Sequence, residues 1–125
     1  MKIAGIYPQH SELDSKIQHA VSEPYGLEMI LAVAKQEGHD AELFTNFEEA
    51  DGQAVPIGEQ KLIENISQFK PDVAAFSLYT CQYPLGKRIA QALKTKTPGL
   101  VTIAGNRYPT FLKNVEGPFD FFAIK

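Results

Sequence analysis

Two short segments hold the small and polar residues from which a binding site could be built. Ser77-Leu78-Tyr79-Thr80 and Gly105-Asn106-Arg107-Tyr108-Pro109-Thr110 each follow an apolar run of strand character, and each precedes a stretch able to start a helix. In an open parallel α/β sheet, ligands occupy the crevice outside the carboxyl ends of the strands, so two such loops address one site. Tyr7-Pro8-Gln9-His10, at the end of the first apolar run, reaches the same edge. The chemistry on offer is binding. Ser77 and Thr80 bring hydroxyls, while Leu78, Tyr79, Tyr83 and Tyr108 bring apolar or aromatic walls. Gly105 lets the backbone approach a bulky ligand without a Cβ in the way, and Asn106 tolerates the left-handed conformation of a tight turn. A mostly apolar pocket with a few fixed polar groups suits a large cofactor. The alternative is that Gly105 and Pro109 only turn the chain and the tyrosines only cover the sheet edge.

Reaction machinery is sparse. The chain has no GxGxxG and no GxxxxGK[ST], so neither a dinucleotide nor a P-loop phosphate site has a sequence warrant. His10, His19 and His39 lack the Cys/His spacing of a zinc site. His39 reads as a turn residue, and His10 and His19 as solvated residues of a long first loop. The acidic groups of a receiver domain are missing, because the relevant strand ends are Tyr7-Pro8 and Ser77-Leu78. Pro8-Gln9-His10-Ser11 is not the Ser/Thr/Gly-rich phosphate loop of a flavodoxin. Cys81 has no basic residue in the preceding loop to lower its pKa and reads as an inert thiol. Glu48, Glu49 and Asp51 read as a solvated acidic loop, and Arg88, Lys94 and Lys96 as a solvated basic helix face.

The elements that must position these loops follow from hydrophobic periodicity. Strands are expected at Lys2–Tyr7, Ala41–Thr45, Val73–Leu78, Leu100–Ala104 and Phe119–Ile124. One helix opens at Glu23-Pro24, buries Leu27, Ile30, Leu31 and Ala34, and ends at Gly38. A second spans Gln60–Phe69 and is stopped by Pro71; a third spans Pro84–Lys96 with Leu85, Ile89, Ala92 and Leu93 inward. Asn46–Pro56 reads as an irregular acidic loop, and Thr110–Asn114 as a short helix. This alternation predicts an α/β fold: a flavodoxin-like (Rossmann-like) doubly wound parallel sheet of five strands, order 2-1-3-4-5.

Composition bounds the function classes. The 125 residues make one domain, large enough for a core of its own. A net charge of −3 creates no field that would gather nucleic acid or an anionic membrane, so neither partner is expected. One cysteine excludes an internal disulfide and any multi-thiolate cluster within this sequence, and fits a cytoplasmic protein. No run approaches the roughly 20 apolar residues of a membrane helix. The sequence stops directly after the fifth expected strand, which leads to the expectation of an N-terminal piece of a longer enzyme.

Taken in order, the motifs resemble a known family: the N-terminal cobalamin (B12)-binding domain of radical S-adenosylmethionine enzymes, the group of the anaerobic magnesium-protoporphyrin monomethyl ester cyclase and of B12-dependent methyltransferases. Glu23-Pro24-Tyr25-Gly26-Leu27 is similar to that family's P-x-G-L helix start, and LAVAKQEGHDAELF to its LAAYLREAGHEVELID. Lys70-Pro71-Asp72-Val73 resembles its KPDVVGIS strand, Ile103 to Thr110 its VLGGxHPT, and Phe119-Asp120-Phe121-Phe122 its DFVVxGEGE strand. The chain departs from the pattern where paired glycines become Gly105-Asn106 and the following histidine becomes Tyr108. The Asp-x-His-x-x-Gly motif that ligates cobalt from below in other cobalamin proteins is absent, as is usual in this group.

The resemblance implies cobalamin bound base-off, with no catalytic residue and no protein metal ligand from this chain. Its nucleotide tail would lie between the loops near Ser77, Leu78, Gly105 and Asn106, beside Arg107 and Tyr108. The corrin would rest on Tyr7, Pro8, Gln9 and His10 and on Tyr79, Thr80 and Tyr83. S-adenosylmethionine and a 4Fe-4S cluster would belong to a C-terminal radical S-adenosylmethionine domain, the expected partner, where methyl transfer or oxidative cyclisation of a small molecule takes place. Two rival expectations stand beside it: a B12-binding-like module that has lost its cofactor and serves as a scaffold, and a small flavodoxin-like nucleotide-binding enzyme. An uncovered last strand with Phe119, Phe121 and Phe122 predicts self-association of the isolated piece.

Overall fold

Short apolar runs alternate with amphipathic stretches, and each takes the form its periodicity dictates. The computed structural model describes residues 1–8, 24–78, 82–105 and 117–122. The elements are β1 (Lys2–Tyr7), α1 (Tyr25–Gln36), β2 (Asp40–Thr45), β3 (Phe47–Ala50), β4 (Gln53–Pro56), α2 (Glu59–Phe69), β5 (Val73–Ser77), α3 (Tyr83–Lys96), β6 (Val101–Gly105) and β7 (Phe121–Phe122). The main sheet has five strands in the order β2-β1-β5-β6-β7, all pairs parallel. Without the hairpin strands β3 and β4 this is the expected order 2-1-3-4-5, and the fold is flavodoxin-like. Expectations for Gln9 to Glu23, Tyr79 to Cys81, Asn106 to Glu116 and Ala123 to Lys125 lie outside the described residues.

Strand periodicity divides the core into two layers. Ala4 and Ile6 of β1, Ala74 and Phe76 of β5 and Ala104 of β6 meet Leu62, Ile63 and Ile66 of α2 and Ile89, Ala90 and Leu93 of α3. Their neighbours along the strands, Ile3, Tyr7, Ala41, Leu43 and Ala75, point to the other face and meet Leu27, Leu31 and Ala34 of α1. Successive strand side chains alternate between faces, so one sheet serves both layers.

Boundaries follow local chemistry. Pro24 precedes α1, and its carbonyl accepts the Glu28 N–H at 2.9 Å, so proline costs the helix no donor it needs. Gly38 ends α1 with φ +89°, a conformation open to glycine. α3 keeps Pro84 in its first turn.

Four expectations need correction. Asn46–Pro56 is not an irregular loop: β3 and β4 pair antiparallel, Glu48 opposite Val55 and Glu49 opposite Ala54. Asp51 (φ +52°) and Gly52 (φ +75°) form the two-residue turn, whose positive φ pair matches the twist of a hairpin. Ile30 is 61% exposed rather than inward, because Leu27, Leu31 and Ala34 form the ridge of α1 against the sheet and Ile30 falls beside it. In α3 the buried residues are Gly86, Ile89, Ala90 and Leu93, with Leu85 and Ala92 only half-buried. Finally, Phe119 precedes the last strand instead of lying in it. It is buried in the α2/α3 layer, edge-on to Phe76 at 5.3 Å and to Phe122 at 5.9 Å, which leaves Phe121 as the exposed ring.

Candidate functional site

Three adjacent strands end at one edge. Tyr7 closes β1, Ser77 closes β5 and Gly105 closes β6, with Ile6 in register with Phe76 and Ser77 with Gly105. Parallel pairing sets these ends level, so the residues that follow them are brought side by side. The ladder runs one rung further: the Leu78 N–H donates to the Gly105 carbonyl at 3.0 Å. That bond ties the two loops of interest together at their bases.

The edge is apolar beneath and polar only in places. Tyr7 is 3% exposed, and Pro8 and Leu78 are fully buried. Ser77 and Gly105 are half-buried at its surface. Leu78 is held from below by α3, where a Cβ built on Gly86 would meet its Cδ2 at 2.6 Å. Glycine at that position is what allows the start of α3 to close on the end of β5. Tyr83, half-buried in the first turn of α3, has its ring centroid 6.0 Å from that of Phe119. A Cβ built on Gly117 would lie 3.4 Å from the Tyr83 hydroxyl, so this ring packs under the returning chain.

The structure thus brings Tyr7, Pro8, Ser77, Leu78 and Gly105 together and places Tyr83 beside Phe119 and Gly117. Gln9, His10, Tyr79, Thr80, Asn106, Arg107 and Tyr108 lie outside the described residues. The described ends of β1, β5 and β6 carry no Asp, Glu, Lys, Arg or His. Among the described residues there is also no group of three His, Cys, Asp or Glu that could hold a metal ion. Among the described residues the edge presents apolar surface and backbone groups.

Two further features were passed over in the sequence, one at this edge and one away from it. β2 ends level with β1, Thr45 paired with Tyr7, so the β3–β4 hairpin leaves the sheet from the ligand edge. Its base is closed by Asn46, 3% exposed, whose carbonyl accepts the Ile57 N–H at 2.8 Å. A shallow hollow on the hairpin is lined by Phe47, Glu48, Glu49, Gly52 and Gln53. The dipeptide Asp51-Gly52 was the available signal, being a strong local mark of a two-residue hairpin turn.

The second feature is a polar cluster around Thr102, a fully buried residue in β6. The Thr102 N–H donates to Asp120 Oδ2 at 2.9 Å, and the Thr102 hydroxyl donates to the Pro118 carbonyl at 2.6 Å. In return the Asp120 N–H donates to the Thr102 carbonyl at 2.9 Å. Lys94 of α3 caps the carboxylate, Nζ to Oδ2 at 2.7 Å and to Oδ1 at 2.8 Å. The Lys94 ammonium, followed by the Thr102 N–H, holds the Asp120 carboxyl below its ordinary 3.8 against an opposing effect of burial. Lys94 and Arg88 are therefore not simply solvated, as their sequence positions imply. Arg88 bonds Glu59 of α2 at 3.2 Å and so joins the two helices of that layer.

Comparison with known proteins gives these features a setting. The model of the family described as B12 binding domain matches residues 19–121. A curated relative, the anaerobic magnesium-protoporphyrin IX monomethyl ester cyclase of Synechocystis sp., is 25% identical over 113 residues, which is 89% of this chain and 21% of that protein. The chain thus spans about a fifth of the length of that relative. Among solved structures, a novel cobalamin-binding protein from Desulfitobacterium hafniense DCB-2 superposes with a TM-score of 0.61 at 13% identity. That superposition covers 98% of this chain and 52% of the other, and it shows a shared fold.

Proposed function

The chain belongs to the B12-binding domain family, and from that premise we propose that it holds cobalamin base-off at the carboxyl edge of its sheet. The observation that carries this reading is the convergence of three level strand ends, apolar and uncharged, joined by the rung from Leu78 to Gly105. The residues present fit the group. Cobalamin carries its cobalt within its own macrocycle, so a site without His, Asp or Glu at the described strand ends lacks nothing essential. Bound there, it supplies the methyl-transfer or radical chemistry that protein side chains do not have.

The reading assigns each strand end a share of the cofactor. Ser77, Leu78 and Gly105, with Asn106, Arg107 and Tyr108 following in sequence, would hold the nucleotide tail. Tyr7 and Pro8, with Gln9 and His10 following in sequence, would support the corrin together with Tyr79 and Thr80. Tyr83 acts one step back, bracing the chain at Gly117. Buried Leu78 and Pro8 would give the corrin a dry floor, with Ser77 half-buried beside them.

The wider setting belongs to the same reading. The likeness to about a fifth of a cyclase supports a cofactor module whose partner is a radical S-adenosylmethionine domain. That domain would hold S-adenosylmethionine and an iron–sulfur cluster, the latter needing more thiolates than the one cysteine of this sequence supplies. The small-molecule substrate would be methylated or cyclised there, in the cytoplasm.

Titration with hydroxocobalamin and methylcobalamin, followed by absorbance and calorimetry, tests the proposal. Saturable binding with a base-off spectrum is expected, and Gly105→Trp should abolish most of it by filling the slot. A folded sample that binds neither form at high micromolar concentration would overturn the reading and favour a scaffold module without cofactor.

A further inference from the structure

No large apolar side chain of α2 or α3 is exposed, whereas α1 leaves Tyr25, Met29, Ile30 and Val33 in water. Gly26, Ala32 and Gln36 lie on the same outer side and are exposed as well, so that whole face is uncharged. A helix that is apolar all round belongs in an interior. The inner ridge of α1 meets the sheet through Leu27, Leu31 and Ala34, which leaves the outer face as the half still to be covered. Its only charged residues are Glu28 in the first turn and Lys35 in the last. They sit on one flank, about two turns apart. Among the described residues neither of them forms an ion pair within the chain.

We propose that the outer face of α1 is a self-association surface, on which a second copy of this chain docks with its own α1 antiparallel. The face is its own complement. About a two-fold axis, Glu28 meets Lys35 of the second copy, and Lys35 meets its Glu28. The same register sets Met29 across from Val33 of the second copy and Ile30 across from its Ala32. Antiparallel helices also bring each positive N-terminus beside a negative C-terminus. The 12 residues of α1 offer a strip about 18 Å long and about 10 Å wide, far short of the roughly 800 Å² per partner of a stable complex. The dimer is therefore weak: at the low micromolar concentrations of an unfolding experiment the chain is a monomer with this face in water. The proposal does not rest on the cobalamin reading.

Sedimentation velocity from low micromolar to millimolar concentration tests the proposal, with circular dichroism to establish that each variant is folded. Wild type is expected to pass from monomer to dimer across this range. Glu28→Lys and Lys35→Glu each set like charges against each other in both halves of the dimer, and each is expected to weaken association about tenfold. An equimolar mixture of the two variants is expected to recover it, because every contact in the mixed dimer again joins a lysine to a glutamate. Met29→Lys is expected to abolish the dimer, and the charge swap carries the test should that variant fail to fold. Phe121→Lys, at the exposed ring of β7, is expected to leave association unchanged. A wild-type chain that stays monomeric at millimolar concentration would overturn the proposal and leave α1 to a different occupant. A mixture no better than its separate components would overturn the antiparallel pairing. A dimer that survives Met29→Lys and is lost in Phe121→Lys would move the interface to the last strand.

Discussion

The two faces of the sheet solve the same packing problem in opposite ways. On the α1 face the strand supplies the glycine: a Cβ built on Gly5 of β1 would meet Leu31 Cδ1 at 2.6 Å. On the α3 face the helix supplies it: a Cβ built on Gly86 would meet Leu78 Cδ2 at the same 2.6 Å. Each pair lets a helix approach the sheet closely, but the surroundings differ. The α2/α3 face holds a deep layer that includes Leu62, Ile66, Ile89 and Leu93, all at 1% exposure or less. The α1 face holds Leu27 and Leu31 at 6% and 5%, under a helix whose outer side is apolar and open. The difference bears on the site: Leu78 and Tyr83, at the base of the ligand edge, pack on the α2/α3 face, so the deep layer carries that edge.

The contrast breaks most visibly under large-to-small substitution. Ile66→Ala, in the deep layer, is expected to cost about 4 kcal/mol, since a buried void there has no route to collapse. Leu31→Ala is expected to cost about 2 kcal/mol, because α1 can settle onto the bare backbone at Gly5. Denaturant unfolding of both variants measures the gap, and equal losses would show that the two layers are equally rigid.

The glycine pairs sharpen the same point. Gly86→Val forces a branched side chain against Leu78, which is fully buried and has nowhere to turn; about 3 kcal/mol of destabilisation is expected. Gly5→Ala meets only the far end of Leu31 beneath a movable helix, and about 1 kcal/mol is expected. Cobalamin affinity provides the second readout. Gly86→Val moves Leu78, and with it the rung to Gly105, whereas Gly5→Ala leaves that rung alone.

What could be read from the sequence follows the same division. Strand order and the three level strand ends were legible because apolar runs such as Val73–Ser77 and Val101–Gly105 carry their own signal. Local spacing also sufficed for Leu27, Leu31, Ile89 and Leu93. Long-range pairings were not legible. Nothing local to Thr102 announces that its N–H will donate to Asp120, 18 positions away, or that Lys94 will reach that carboxylate from α3. Ile30 was misplaced because helical spacing allows two neighbouring ridges, and only contact with β1 and β2 decides between them. The β3–β4 hairpin was legible in Asp51-Gly52 but was hidden by its acidic composition.

Acid unfolding probes the Thr102–Asp120–Lys94 cluster. Folding lowers the Asp120 pKa below 3.8, so its stabilisation is fully present above that unfolded value. It is lost as pH falls through the lowered folded value. Asp120 and Lys94 are 39% and 31% exposed, and solvent screening limits the pair to about 1 kcal/mol. Wild type should therefore exceed Asp120→Asn by about that amount at pH 6, and the difference should shrink as the pH falls below 3.8. A gap that stays constant into acid would mean that the ionised carboxylate contributes nothing.

The smallest effect lies on the outer side of α1, and its smallness is informative. Tyr25, Met29 and Val33 recur every fourth residue along the helix and are 69%, 69% and 56% exposed. Counting apolar residues alone would assign this stripe to a core, and Ile30 at 61% would widen it. Exposure argues otherwise: a side chain that keeps two thirds of its surface in water has little left to lose. Met29→Gln preserves length and helix propensity, so its cost should stay within about 0.5 kcal/mol by denaturant unfolding. Set against about 2 kcal/mol for Leu31→Ala two positions away, that result would place the whole stabilising contribution of α1 on its ridge of Leu27, Leu31 and Ala34. A loss near 2 kcal/mol for Met29→Gln would instead mean that the outer side of α1 is buried in solution.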